Sequence, residues 1–357
     1  MTATNAAARP TIVIAAGGTA GHVVPAIAVA DALRAEGAEV SFVGGERAEA
    51  ELVPAAGYPL DRIAAEGISR SNPLKAARAL AKAAGALGTA RKILRARRPD
   101  AVLGGGGYVA GPVGLAAALK RIPLVLAEAD SHLGLTNRAL APRARRVCLA
   151  FPLEGRDGER YRVTGRPVPP TITGRAGARA ELGVGAEETV VLVFGGSLGA
   201  RSINLAAVEG LGGAPYRILH VAGRRDFADL QAPDERYLLR DYITPFGTAL
   251  AAADLAVARA GGSVFELAQY GLPAVLIPYP HASADHQSTN ARWMADAGAA
   301  VVLPDAELTP ERLRREVDAI ALDPERLRTM AAASVALARP DAAADIAAEV
   351  LAAARGR

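Results

Sequence analysis

The residues best placed to do chemistry begin with Gly17-Gly18-Thr19-Ala20-Gly21-His22. Glycines permit positive φ and let backbone N–H groups approach a ligand closely, and a helix that follows aims its partial positive end at the turn. Such a turn suits an anion or a sugar diphosphate. His22 adds a side chain that can carry a proton near neutral pH. Two details argue against a nicotinamide enzyme: the glycines depart from G-x-G-x-x-G spacing, and the second apolar run, residues 39–43, ends in Gly44-Gly45 where an acidic ribose ligand is expected. None of the lysines follows a glycine, so the chain has no P-loop.

Further along, Gly104-Gly105-Gly106-Gly107-Tyr108 forms a second glycine turn. Consecutive glycines cost backbone entropy and persist where something must approach the main chain. The run Glu128-Ala129-Asp130-Ser131-His132 then brings two carboxylates and an imidazole together, with Asn137 just beyond. Without a second cluster or an Asp-x-Asp pair, Glu128 and Asn137 fit substrate binding better than a metal. The second half repeats the theme in Gly195-Gly196-Ser197-Leu198-Gly199-Ala200, where Ser197 either caps a helix or donates to a phosphate. In Gly261-Gly262-Ser263-Val264-Phe265-Glu266 the carboxylate suits a helix start and equally a sugar diol. His281, Asp285, His286, Gln287 and Asn290 make a last polar loop.

Strands and helices must alternate to carry these turns. Apolar runs at residues 11–14, 39–43, 101–103, 122–126 and 147–150 predict strands of a first parallel sheet, and those at 190–194, 217–221, 255–258 and 274–278 predict a second. Helices are expected at residues 26–35, 113–119 and 250–253, and residues 161–170 read as a linker. Polar side chains at the carboxyl ends of parallel strands lie where ligands bind in open α/β sheets.

The length of 357 residues suits two domains, expected at 1–164 and 165–339, with a terminal helix over 340–357 packing back on the first. One cysteine, Cys148, fits a reducing compartment, and the sequence shows neither a signal peptide nor an 18-residue apolar run, which points to the cytoplasm. The net charge of +4 hides an asymmetry: 22 basic against 14 acidic residues up to 164, but 19 against 23 after it. Nine basic and no acidic residues fall between Gly67 and Pro99, among them Arg70, Lys75, Arg91, Lys92 and Arg95. Such a surface suits anionic lipid headgroups, or is simply a solvated helix face. The lack of interleaved aromatics speaks against nucleic acid.

The motifs Gly17-Gly18-Thr19-Ala20-Gly21-His22-Val23-Val24-Pro25, Gly106-Gly107-Tyr108-Val109-Ala110-Gly111-Pro112, Gly195 to Ala200 and Asp285-His286-Gln287 with Asn290-Ala291 resemble, in order and spacing, those of the MurG family of UDP-N-acetylglucosamine transferases. The resemblance implies a GT-B fold, two Rossmann-like domains whose parallel sheets face a cleft. It also implies inverting transfer of N-acetylglucosamine from UDP to the 4-hydroxyl of the N-acetylmuramyl group of lipid I, forming lipid II without a metal or other cofactor. By position, Thr19, Ala20, Gly21, Asp130, Arg166, Ser197, Gly262 and Ser263 would contact the donor. Ile243 would present backbone to uracil, Glu266 would hold the ribose, and His286 or Gln287 would bind the sugar. His22 is the candidate general base, with Tyr108 and Glu128 as further catalytic candidates and Gly106, Gly107, Tyr108 and Asn137 around the acceptor. The basic first domain would face lipid I and an anionic membrane, making the enzyme peripheral on its cytoplasmic side.

The chain departs from the family at three places: Ala127-Glu128-Ala129-Asp130 replaces His-Glu-Gln-Asn, Gly165-Arg166-Pro167-Val168-Pro169 replaces Gly-Asn-Pro-Val-Arg, with Arg166 a substitute for the displaced arginine, and the Gly261-to-Glu266 turn is one residue shorter. A UDP-sugar epimerase or hydrolase of the same double fold, or a transferase acting on another lipid, are the alternatives.

Overall fold

The computed structural model describes residues 9–64, 73–169, 174–196, 198–282 and 285–356, and of residues 73–84 the helical backbone alone. The chain divides into two units, Met1–Pro169 with Arg339–Arg357, and Pro170–Ala338.

The first unit alternates strand and helix: β1 (Thr11–Ala15), α1 (Ala20–Ala35), β2 (Glu39–Gly44), α2 (Ala48–Ala55), β3 (Leu60–Arg62), α3 (Pro73–Arg97), β4 (Ala101–Gly104), α4 (Gly107–Leu119), β5 (Leu124–Glu128), α5 (Leu135–Leu140), β6 (Arg146–Leu149) and β7 (Tyr161–Val163). Its sheet runs β3-β2-β1-β4-β5-β6-β7, and every pairing is parallel. Ile12, Val13 and Ile14 are all buried because helices cover both faces, so β1 has no polar side to alternate with. One face packs Val23, Ala26, Val29, Ala30 and Leu33, the inward stripe of α1. The other packs Leu94 of α3 and Val109 and Val113 of α4.

The second unit holds α6 (Arg175–Leu182), β8 (Val190–Phe194), α7 (Arg201–Gly210), β9 (Arg217–Val221), β10 (Tyr237–Arg240), α8 (Gly247–Ala252), β11 (Leu255–Ala258), α9 (Ser263–Gln269), β12 (Ala274–Leu276), α10 (His286–Asp296), β13 (Ala300–Val302), α11 (Pro310–Ala321) and α12 (Pro324–Ala336). Its parallel sheet runs β10-β9-β8-β11-β12-β13. The last helix, α13 (Ala342–Arg355), belongs to the first unit, where Ile346, Ala347, Val350 and Leu351 join the core beside α1.

Both sheets therefore follow the doubly wound order of mononucleotide-binding folds, which reverses direction beside the first strand. A ligand is expected at the carboxyl ends of β1 and β4 in one unit and of β8 and β11 in the other.

Four local expectations are corrected. Helix α1 begins at Ala20, not residue 26, because Thr19 in an extended conformation starts it directly after the glycines. Helix α4 begins at Gly107, not residue 113, so Pro112 lies inside the helix; positive φ at Gly106 and Gly107 turns the chain early. The expected linker begins as the edge strand β7, paired with β6. The division between units falls after Pro169 rather than at residue 165, since Arg166 is bonded to the Gly21 carbonyl and a Cβ on Gly165 would lie 2.5 Å from Cβ of Arg339.

Candidate active site

In the first unit, His22 stands in the first turn of α1, its N–H donating to the Thr19 carbonyl at 3.0 Å and its Nδ1 lying 3.4 Å from Thr19 Oγ1. The second glycine turn lies on the ring. A Cβ at Gly106 would come within 2.5 Å of His22 Cδ2, and at Gly107 it would collide with the Gly17 carbonyl, so both positions need glycine on grounds of space as well as φ. A small pocket of about 30 Å³ lies here, lined by His22, Gly105, Glu128 and Arg166 among apolar groups that include Pro25 and Ile346. Burial holds the imidazole below its usual range; Asp130 pulls it up and Arg166 presses it down again.

Glu128 ends β5 and is buried. Its Oε1 accepts from Asp130 N–H at 3.2 Å, and Oε2 accepts from Gly134 N–H and Asn137 Nδ2, both at 2.9 Å. Burial raises its pKa against those bonds, and Asp130 adds to the rise. Asn137 also donates to the Ala127 carbonyl at 3.1 Å, while its Oδ1 is buried with no hydrogen-bond partner among the described residues. Glu128 thus shapes the loop that carries Asp130 and Asn137. Tyr108 turns the other way, donating to the buried carboxylate of Glu49 at 2.8 Å. Burial, and next the bond to Glu49, push its phenol up to about 12.

In the second unit, Gly199 sits against the Ala222 carbonyl, and Asn204 of α7 donates to that carbonyl at 2.9 Å and to Asp226 at 3.1 Å. With its amide nitrogen so used, Asn204 Oδ1 accepts from His220 Nε2 at 3.0 Å, and His220 Nδ1 accepts from the Tyr237 hydroxyl at 2.8 Å. This buried chain braces the loops after β8 and β9. Burial drives His220 down to about 4, so it is a neutral structural histidine. Arg259, after β11, donates to the Ile277 carbonyl at 3.1 Å, to Asp305 at 2.6 Å and to Ser202 at 2.8 Å, tying neighbouring loops together.

The donor candidates of the second unit follow β10, β11 and β12. Gly262 precedes α9, the Ser263 hydroxyl donates to the Arg259 carbonyl at 3.2 Å, and Glu266 stands in the first turn, half-buried. His286 opens α10, Gln287 accepts from Tyr279 N–H at 2.9 Å, and Asn290 donates to the Ala260 carbonyl at 3.0 Å. Ile243, in the loop after β10, has a buried side chain. Ser197 lies outside the described residues, as do Arg70 and the side chains of Lys75, Arg78 and Lys82. The sequence motifs did not point to Glu49, Asp226 or His220, and they gave Arg259 no role although it opens the turn that runs to Glu266. The available signal for Glu49 was a carboxylate in the first turn of a helix directly after Gly44-Gly45. Among the described residues no three His, Cys, Asp or Glu side chains come together as a metal set, and no helix is long and apolar enough to cross a membrane.

Two parallel Rossmann-like units, each with glycine turns at its switch point, give the architecture that two-domain glycosyltransferases have. The N-terminal domain of glycosyltransferase family 28 matches residues 12–149, and its C-terminal domain matches residues 190–346. A Moorella thermoacetica protein named UDP-N-acetylglucosamine--N-acetylmuramyl-(pentapeptide) pyrophosphoryl-undecaprenol N-acetylglucosamine transferase is 43% identical over 354 residues, covering 93% of this chain and 95% of that protein. One of the same name from Methylococcus capsulatus is 43% identical, covering 94% and 96%. Among solved structures, MurG of Acinetobacter baumannii superimposes with a TM-score of 0.79 at 30% identity, covering 96% of this chain and 99% of that one. A putative UDP-N-acetylglucosamine 2-epimerase from Listeria monocytogenes, at 16% identity and a TM-score of 0.68, shares the fold alone. The chain belongs to glycosyltransferase family 28, in its MurG branch.

Proposed function

We propose that this protein transfers N-acetylglucosamine from UDP to the 4-hydroxyl of the N-acetylmuramyl group of undecaprenyl-pyrophosphoryl lipid I, producing lipid II with inversion at the sugar. The observation that carries the chemistry is the seat of His22 at the β1 switch point, beneath Gly106 and beside Asp130 and Arg166. With Nδ1 facing Thr19, Nε2 is the nitrogen that takes the proton as the hydroxyl oxygen attacks the anomeric carbon. The bond from that carbon to UDP breaks as the new one forms, and UDP leaves with the electron pair.

The donor is assigned to the strand ends of the second unit: Ser197 and the 195–200 turn for the diphosphate, Ile243 backbone for uracil, Glu266 for the ribose, His286 or Gln287 for the sugar, with Gly262 and Ser263 also contacting the donor. Thr19, Ala20, Gly21, Asp130 and Arg166, in the first unit, are assigned to the donor as well. Main-chain N–H groups and arginines meet the charge of departing UDP, and no metal is assigned a role. Gly106, Gly107 and Asn137 are assigned to the acceptor, with the Asn137 Oδ1 acceptor available to it. Helix α3 carries the basic surface toward anionic lipid on the cytoplasmic side of the membrane, and nucleic acid is not a partner.

The test is direct: purified protein, UDP-N-acetylglucosamine labelled in the sugar, and a lipid I analogue. Transfer of label to the analogue is expected. Folded protein that moves no label overturns the assignment, and breakdown of UDP-sugar without acceptor points to an epimerase or hydrolase instead.

A further inference from the structure

Glu49 stands outside every glycine motif, yet its carboxylate is fully buried where three loops meet. Its Oε2 accepts from Gly18 N–H at 2.8 Å, and its Oε1 accepts from Gly45 N–H and from the Tyr108 hydroxyl, each at 2.8 Å. Ala48 N–H returns a bond to the Gly18 carbonyl at 3.4 Å, so the start of α2 and the first glycine turn hold each other in both directions. We propose that Glu49 is a positioning residue for the transfer reaction: it locks the Gly17-Gly18-Thr19 turn and so sets where the His22 imidazole stands.

A buried carboxylate is costly unless hydrogen bonds satisfy it. Burial pushes the Glu49 pKa up, but the donors outweigh burial and hold it below the usual carboxylate range, so the group stays an anion. The glycines around it are cut to fit. A Cβ at Gly17 would lie 2.8 Å from Glu49 Oε1 and 2.7 Å from Val109 Cγ2, and one at Gly45 would lie 3.0 Å from the same carboxylate oxygen. Two of the contacts on the imidazole trace back to this anion. Thr19, which faces His22 Nδ1, directly follows Gly18; Gly106, which lies on the ring, is two residues before Tyr108. The first glycine turn thus spends the Gly18 N–H on a carboxylate supplied by the protein.

This inference rests on His22 as the base, and its test separates the two. Glu49→Gln keeps the shape but sets an amide N–H₂ among N–H and O–H donors. We expect kcat for transfer to fall about a hundredfold, with KM for UDP-N-acetylglucosamine unchanged within about threefold. The groups facing His22, namely Asp130, Arg166, Glu128 and Thr19, are intact in the variant. An NMR titration of His22 should therefore move up toward its ordinary value as water reaches the loosened ring. Glu49→Asp, which keeps the charge but shortens the reach, should be intermediate in both readouts, and it carries the test if the glutamine variant does not fold. A kcat within about threefold of the parent together with an unmoved His22 titration overturns the proposal. If the parent itself transfers no sugar, the functional assignment fails while the titration still decides the role of Glu49.

Discussion

Arg166 donates to the Gly21 carbonyl at 2.7 Å, which brings its guanidinium beside His22 from a segment more than a hundred residues away in sequence. Asp130 acts on the same imidazole with the opposite sign. The pH dependence of transfer should report both. A general base works only when neutral, so activity is lost as pH falls through the lowered pKa of His22. Arg166→Met removes a depressing charge and should shift the acid limb of kcat/KM for the acceptor to higher pH. Asp130→Asn should shift it to lower pH. Limbs that stay put in both variants would separate His22 from the titration that governs rate.

His22→Ala should abolish most turnover while leaving UDP bound. Loss of a general base costs roughly 10²–10⁴ in rate. Transfer assays paired with calorimetric titration of UDP check both halves, and retained turnover would remove His22 from the proton transfer.

Stability of the first unit should depend on Glu349. This carboxylate of α13 is buried and accepts from Arg146 at 2.7 Å and from Arg162 at 2.6 Å. Burial raises its pKa, but the two arginine bonds overcome that and leave it lowered. The sign follows: its contribution is full above the ordinary value of 4.5 and fades as pH falls through the depressed folded value. With both arginines partly exposed, Glu349→Ala should cost about 1–3 kcal/mol in urea unfolding at neutral pH.

His220 makes the opposite kind of acid sensitivity in the second unit. Its folded value of about 4 lies below the ordinary 6.5, so the unfolded chain binds the proton first. Stability should be constant above pH 6.5 and decline as pH falls from there toward 4. His220→Gln should flatten that slope in urea midpoints measured across the interval, because the amide can still donate to Asn204 but takes no proton.

The exposed end of α3 offers a test of the membrane assignment. Arg91, Lys92 and Arg95 are exposed, whereas Arg97 is engaged by Asp61 at 2.8 Å. Replacing the first three by Glu should weaken sedimentation with phosphatidylglycerol vesicles, each cation contributing about 1 kcal/mol. Binding that neither these changes nor added salt alters would exclude an electrostatic surface contact.

Glycine turns, apolar runs and their repetition make the two doubly wound units legible in the sequence, since these features act within a few residues. Side-chain braces were less so. Glu49 looks like an ordinary acidic residue in a helix first turn, and only the pairing of β1 with β2 brings the Gly18 and Gly45 N–H groups onto it. His220 sits in an apolar strand, and nothing local announces that Asn204 and Tyr237 will enclose it. Arg166 was expected to act on the donor, but its place beside Gly21 depends on residues 165–169 staying with the first unit. Tyr108 was expected at the acceptor, yet its hydroxyl faces Glu49, a contact made across 59 positions of sequence.

Helix α13 fills the core beside α1, and the chain reaches it only after residues 170–338 have been laid down as a separate body. On the ribosome, which supplies residues from the N-terminus onward, Val23, Val29 and Ala30 must therefore wait through the manufacture of the whole second unit before Ile346 and Val350 arrive to cover them. The half that bears His22 is the first begun and the last finished.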